Sequence, residues 1–299
     1  MNRAFRPEGI APARPEIVLL ARSAIRARRR PGAVLVVWAW EALLGLAIGW
    51  PIASVAHRVY GSHPDGDAPV FRAGGLELLD LLAHSMAAGG PIACTVILVV
   101  LAASVAGLFP SAMLLASMTF VTRARTPPPL RAAMARASTA FAPSVTALLA
   151  TRALQGVLLA VGLSLAKAAS TLAVARSGEA AGDKALLAVV LPFVLACGVA
   201  GIVGDLARAA VIRFDARGGD ALRVAARVFA RAPLEVTWSY VWRAISGCVP
   251  LVFGALVAAR IGGRAGVPLL ALFVVHQSVT LVRVALQASW MASAVRALD

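Results

Sequence analysis

Lysine, tyrosine, cysteine and histidine are all scarce in this chain. Among 299 residues there are two Lys, two Tyr, three Cys and four His. Charged residues make up only 14% of the sequence, where a soluble domain has about 25%. That shortfall excludes an ordinary water-soluble enzyme and a charge-rich disordered chain. The cysteines, Cys94, Cys197 and Cys248, lie singly inside apolar runs without CxxC or CxxH spacing. They read as small core residues, and a disulfide scaffold or zinc site is excluded. HExxH, GxSxG, P-loop and dinucleotide motifs are absent from the sequence. A non-enzymatic protein with no cofactor and no metal site is therefore expected.

What the chain has in excess is apolar surface. Apolar residues reach 60% and the mean hydropathy is +0.82, values suited to lipid as the solvent. The net charge of +15 comes almost wholly from 27 Arg spread between apolar runs. Scattered arginines at helix ends are a topology signal, so nucleic acid is not an expected partner. Membrane phospholipid, anionic species included, and a protein partner of undefined identity are.

Six segments have the length and composition of a membrane-crossing helix: 33–56, 91–121, 144–166, 186–212, 236–258 and 267 to beyond Trp290. In the long second segment Pro110 predicts either a kink or a split into two half-helices. Eighteen basic residues fall on the side of both termini and seven on the other. The expected topology is therefore a multi-pass bacterial inner-membrane protein with both termini cytoplasmic. Residues 1–32 carry eight Arg, too long and too charged a stretch for a signal peptide. They read as a cytoplasmic amphipathic segment preceding a 33–299 membrane domain.

A motif of a charged residue, Ala, an apolar residue, any residue and Gly occurs three times: Glu41–Gly45, Arg152–Gly156 and Arg243–Gly247. Each copy follows a proline (Pro31, Pro143, Pro233), and an amphipathic stretch precedes each proline. Arg22, Arg26 and Arg30 form one such row and Arg223, Arg227 and Arg231 another; Leu130, Met134, Ala137 and Phe141 form an apolar stripe. Such stretches suit helices lying in the headgroup layer. The fold expected is an all-α polytopic helix bundle of three repeats, about 12–121, 129–213 and 218–297, each an interfacial helix plus a helix pair.

The stretches Ala24–Gly32, Asp205–Arg213, Ala221-Leu222-Arg223 and Arg231-Ala232-Pro233 resemble a group of uncharacterised bacterial six-span membrane proteins. That group is similar to the membrane domain accompanying some glycerophosphodiester phosphodiesterases and to related domains of unknown function. The resemblance implies an integral membrane domain without assigned chemistry.

Ionisable residues within spans are costly and need a reason. Glu41, Arg152, Asp205, Arg208, Arg243 and Arg283 are expected to meet at one depth. Three readings stay open: Glu41 and Asp205 pair with arginines and lock helices, with Glu41–Arg243 the pair to test; the arginine excess binds an anion such as a phospholipid phosphate; or Arg208 and Arg283 snorkel to the headgroups. Gly45, Gly156, Gly198, Gly201, Gly204 and Gly247 are expected at helix contacts. Pro51, Pro192 and Pro250 interrupt further spans and are compatible with broken helices. His57, His63, Asp65 and Asp67 surround a Pro-Asp-Gly turn sequence that a weak divalent-ion site also fits. His276 lies seven residues before Arg283, and Leu76–His84 is a second amphipathic stretch. These features favour a non-enzymatic envelope component that binds lipid or a membrane partner; the alternative is a permease or lipid/anion transporter using the charge layer.

Overall fold

The computed structural model describes residues 17–19, 25–27, 30–60, 98–99, 101–122, 126–261 and 267–298. Seven helices lie among them: α1 (Pro31–Tyr60), α2 (Leu108–Thr119), α3 (Leu130–Ser177), α4 (Glu179–Phe214), α5 (Gly218–Arg231), α6 (Pro233–Ile261) and α7 (Val267–Ala297). Two three-residue strands, β1 (Ile17–Leu19) and β2 (Phe120–Thr122), pair antiparallel with Ile17 opposite Thr122. Cys94, His63, Asp65, Asp67, Arg22 and the Leu76–His84 stretch lie outside the described residues.

Five helices are long and apolar enough to cross a membrane; α1 adds a shorter apolar stretch, Pro31–Ala47. Their surfaces say what solvent they need. Leu163, Leu187 and Leu195 are 60%, 66% and 62% exposed. An exposed apolar surface of this extent is unfavourable in water and neutral against acyl chains.

The buried core sits at one end of the bundle, where α1 begins and α2, α4 and α7 end. It joins Met113, Met118, Leu206, Ile212, Met291 and Val295 with the alanines of α3 and α5. Almost all of α2 is buried there, packed against α1, α3, α4 and α7. Its hydroxyls turn back on their own helix: Ser111 donates to the Leu108 carbonyl (2.9 Å), Ser117 to Leu114 (2.7 Å) and Thr119 to Leu115 (2.7 Å). Buried polar groups are thus satisfied without a partner helix.

Arginines close the helix ends around this core. The last turn of a helix exposes unpaired carbonyls. Arg30 Nε donates to the Ser117 carbonyl at 2.5 Å, and Arg136 Nη2 to the Ile212 carbonyl at 2.9 Å. Arg136 also reaches Asp215 (2.6 Å) and stacks over the Phe120 ring at 5.5 Å. Asp215 ends α4 in the left-handed conformation, φ 56°. Replacing Arg136 with alanine is expected to cost about 2 kcal/mol, the scale of hydrogen bonds to a charged group. Lysine should not rescue it, because one ammonium cannot bridge carbonyl, carboxylate and ring together. Thermal melting in detergent, compared for both variants, checks this.

The three amphipathic stretches do not form three separate interfacial helices. The first contains β1, because Ile17 and Val18 favour an extended chain and β2 supplies its hydrogen bonds. The second is continuous with the span: α3 runs through Pro143 for 48 residues. One missing backbone bond is outweighed there by the packing of Ala137, Ala140, Ser144 and Ala147, all buried. The third is α5, a separate helix whose apolar face packs on protein rather than lipid. Ala221 and Ala225 are fully buried, and Arg223, Arg227 and Arg231 are exposed. Pro51, Pro192 and Pro250 likewise sit inside continuous helices. In the second span Gly107 keeps a right-handed helical conformation (φ −70°, ψ −15°), with its N–H on the Ala103 carbonyl at 2.9 Å, and Pro110 occupies the first turn of α2.

At about 1.5 Å per residue α3 is about 72 Å long, more than twice the ~30 Å hydrocarbon layer. Its first turns join the arginine-rich core. Its last turns carry Lys167 and Arg176 to the Gly178 bend, where φ 85° and ψ 176° demand glycine.

Helix approach is closest at glycines other than most of those expected. A Cβ on Gly204 would lie 2.8 Å from Thr151 Oγ1; on Gly162, 2.6 Å from the Phe193 ring; on Gly218, 2.8 Å from Thr146. Gly201 approaches Gln155 at 3.3 Å and Gly247 makes an ordinary contact with Leu286 at 3.8 Å. Gly45, Gly156 and Gly198 meet nothing within 4 Å among the described residues and are not packing glycines there. Among the described residues they lie away from the contacts between helices, and spacing alone does not reveal which way a face turns.

Candidate intramembrane charge site

Six charged side chains from five helices line two cavities. Glu41, Asp205, Arg243 and Arg283 border the larger, about 400 Å³, together with Tyr240 and Trp290. Glu41, Arg152 and Arg208 border the smaller, about 240 Å³. Glu41 and Gln287 are common to both. Helices α1, α3, α4, α6 and α7 thus bring their ionisable residues to one polar region between them.

The charges are held differently. Asp205 forms an ion pair with Arg208 one turn along α4. Its second oxygen accepts from Trp290 Nε1 of α7 at 2.7 Å. Trp290 is fixed by an edge-on contact with Tyr240 of α6, ring centroids 5.2 Å apart. One carboxylate therefore ties α4 to α7, and through the rings to α6. Arg208 is engaged by this pair and does not snorkel.

Arg243 is seated by neutral oxygens. Nε donates to Ser289 Oγ (3.0 Å), Nη2 to Ser293 Oγ (2.8 Å), and Nη1 to Ser239 Oγ (2.7 Å) and the Ser239 carbonyl (2.5 Å). Hydroxyls align the guanidinium but leave its charge uncompensated. The expected pairing of Glu41 with Arg243 is not formed. Glu41 and Arg283 instead border the larger cavity together. Arg152 Nη1 donates to Gln155 Oε1 (3.0 Å), and Gln155 Nε2 donates to the Cys197 carbonyl of α4 (2.9 Å). Four arginines and two carboxylates leave the region with a formal excess of two positive charges.

Ser239, Ser289, Ser293, Gln155, Gln287 and Trp290 are absent from the residues expected from sequence. One signal was present: Ser289 and Ser293 are spaced by four in an apolar run, which places both on one face of α7. His276 is exposed and borders neither cavity. Cys197 and Cys248 are free thiols, and Cys248 borders the larger cavity. Among the described residues no cluster of three or more His, Cys, Asp or Glu is placed to hold a metal.

The chain is thus an all-α protein with five helices of membrane-crossing length and a charge-lined region between them. It matches no protein-family model, no curated protein and no solved structure.

Proposed function

We propose that this is a six-span protein of the bacterial cytoplasmic membrane with both termini cytoplasmic, acting as a non-enzymatic envelope component. Its interior charge region holds the phosphate of an anionic phospholipid. The observation carrying this reading is the arginine excess around the two cavities: among the described residues Arg152 donates to an amide, and Arg243 to hydroxyls and a carbonyl, rather than to Glu41 or Asp205. A phosphate supplies the missing negative charge and accepts in the bidentate manner guanidinium favours. The threefold repeat is supported by position, since the charged residue opening each motif, Glu41, Arg152 and Arg243, borders one of the cavities.

Native mass spectrometry of the purified protein tests this. The Arg152→Gln, Arg243→Gln double variant should lose one bound anionic phospholipid and keep its helicity, with a lower melting temperature because Arg243 also bonds Ser239, Ser289 and Ser293. Unchanged lipid occupancy in a folded double variant ends the proposal. The permease reading makes a different prediction at Cys248. With Cys94 and Cys197 replaced by serine, a transporter would let a water-soluble methanethiosulfonate reach Cys248 from either side of the membrane. A lipid-holding site would keep that thiol closed to one side and protected by bound lipid.

A further inference from the structure

The two charge-lined cavities are neighbours, since Glu41 and Gln287 border both. Beyond this shared wall each has its own arginine that donates to no carboxylate among the described residues. Arg152 of α3 borders the smaller cavity and donates to the Gln155 amide oxygen. Arg243 of α6 borders the larger and donates to Ser239, Ser289 and Ser293. The other charges of the region balance. Asp205 pairs with Arg208, and Glu41 and Arg283 border the larger cavity together. The excess of two positive charges is therefore one guanidinium in each cavity, with a carboxylate and an amide in common.

Resting on the reading that this region holds an anionic phospholipid, we propose that the lipid is a diphosphatidylglycerol (cardiolipin). One phosphate lies in each cavity, and the bridging glycerol lies at Glu41 and Gln287. Charge selects this lipid first. A single phosphodiester carries one negative charge and would leave one of the two arginines uncompensated within the spans, which is costly. Two phosphodiesters neutralise both, and each accepts from a guanidinium in the bidentate manner. Basic pockets between membrane helices suit headgroups of this kind. The shared wall selects the bridge. The glycerol joining the two phosphates keeps a free hydroxyl on its middle carbon. Glu41 accepts from that hydroxyl and Gln287 donates to its oxygen, so the one carboxylate common to both cavities meets a donor rather than phosphate oxygens. Size agrees. The volumes, about 400 and 240 Å³, compare with the ~300–1,000 Å³ that bury a drug-sized ligand, so they take headgroups and leave the acyl chains outside. Arg152 and Gln287 are exposed, as are Leu154 on α3 and Trp242 and Ile245 on α6. Those apolar surfaces cover the chains.

The experiment uses the full chain in phosphatidylcholine nanodiscs, titrated with tetraoleoyl cardiolipin or dioleoyl phosphatidylglycerol and read by native mass spectrometry. The unaltered protein should bind one cardiolipin about tenfold more tightly than phosphatidylglycerol, the effect of one further hydrogen bond to a charged group. Arg152→Gln and Arg243→Gln should each remove that advantage, because each takes away the partner of one phosphate. Phosphatidylglycerol should lose less in either single variant, since the remaining arginine takes its one phosphate. Cardiolipin lacking the central hydroxyl should bind the unaltered protein about tenfold more weakly than cardiolipin itself. Equal binding of cardiolipin and phosphatidylglycerol, a loss confined to one of the two arginines, or equal binding of the deoxy lipid overturns the two-phosphate assignment and leaves the anionic-lipid proposal standing. If neither lipid binds the unaltered protein better than the Arg152→Gln, Arg243→Gln variant, both fall. The lipid comparisons on the unaltered protein hold whether or not a variant folds.

Discussion

Replacing Asp205 with alanine should destabilise the protein by about 3 kcal/mol, the lower part of the range for removing one partner of a buried ion pair. Asp205 and Arg208 retain 17% and 20% side-chain exposure, which places the effect there and not higher. Three losses coincide. Arg208 keeps its charge without a counter-ion, Trp290 Nε1 loses its acceptor, and the tie between α4 and α7 opens. Asparagine should recover part of the loss, since its amide oxygen still accepts from Trp290 at the 2.7 Å position. The Asp205→Ala, Arg208→Ala double variant should be less damaged than the two single losses summed, because the second change removes the charge stranded by the first. Thermal unfolding of the four proteins in one detergent measures the cycle. Additive losses would mean the pair holds nothing together.

Gly204→Val should have an effect of similar size. The added Cβ would lie 2.8 Å from Thr151 Oγ1 and 2.9 Å from its Cγ2. Thr151 cannot turn aside freely, because its hydroxyl donates to the Ala147 carbonyl at 2.8 Å within α3. Either that bond breaks or α3 and α4 separate. Overpacking of this kind costs about 1–3 kcal/mol, and a branched side chain at the point of closest approach belongs at the upper end. Gly198→Val, two turns away on the same helix and open to 4 Å, should leave the melting temperature nearly unchanged. Equal losses at both positions would show that helix propensity, not interhelical contact, governs α4.

The contrast between those two glycines marks where sequence reasoning stops. Small-residue spacing identifies a helix able to pack closely. It does not identify the partner or the face, since Gly198, Gly201 and Gly204 repeat every three residues and so drift around the helix. Thr151, which selects Gly204, lies fifty-three residues away in the chain. The same holds for Arg243. Its charge and its position inside an apolar run were legible, but not that Ser289 and Ser293 would seat it in place of Glu41. Those serines come from α7, and the pairing depends on how α6 and α7 are rotated against each other.

Composition and patterning alone were enough to establish apolar helices that need lipid and which side chains bear charge inside them, but not their ends: the stretch expected over 144–166 is a helix over Leu130–Ser177. The reason is local: twenty apolar residues in a row have one stable backbone solution in hydrocarbon, whatever surrounds them. Only the tertiary structure decided that Pro143 sits in an unbroken helix, that the leading segment contains a strand, and that α5 lays its apolar face on protein. Each of those outcomes turns on the neighbour available to bury a surface or complete a hydrogen bond. β2 offers Ile17–Leu19 its bonds, and α3 and α4 offer α5 a floor. Neighbours of that kind are set by packing across the chain, and no stretch of sequence contains them by itself.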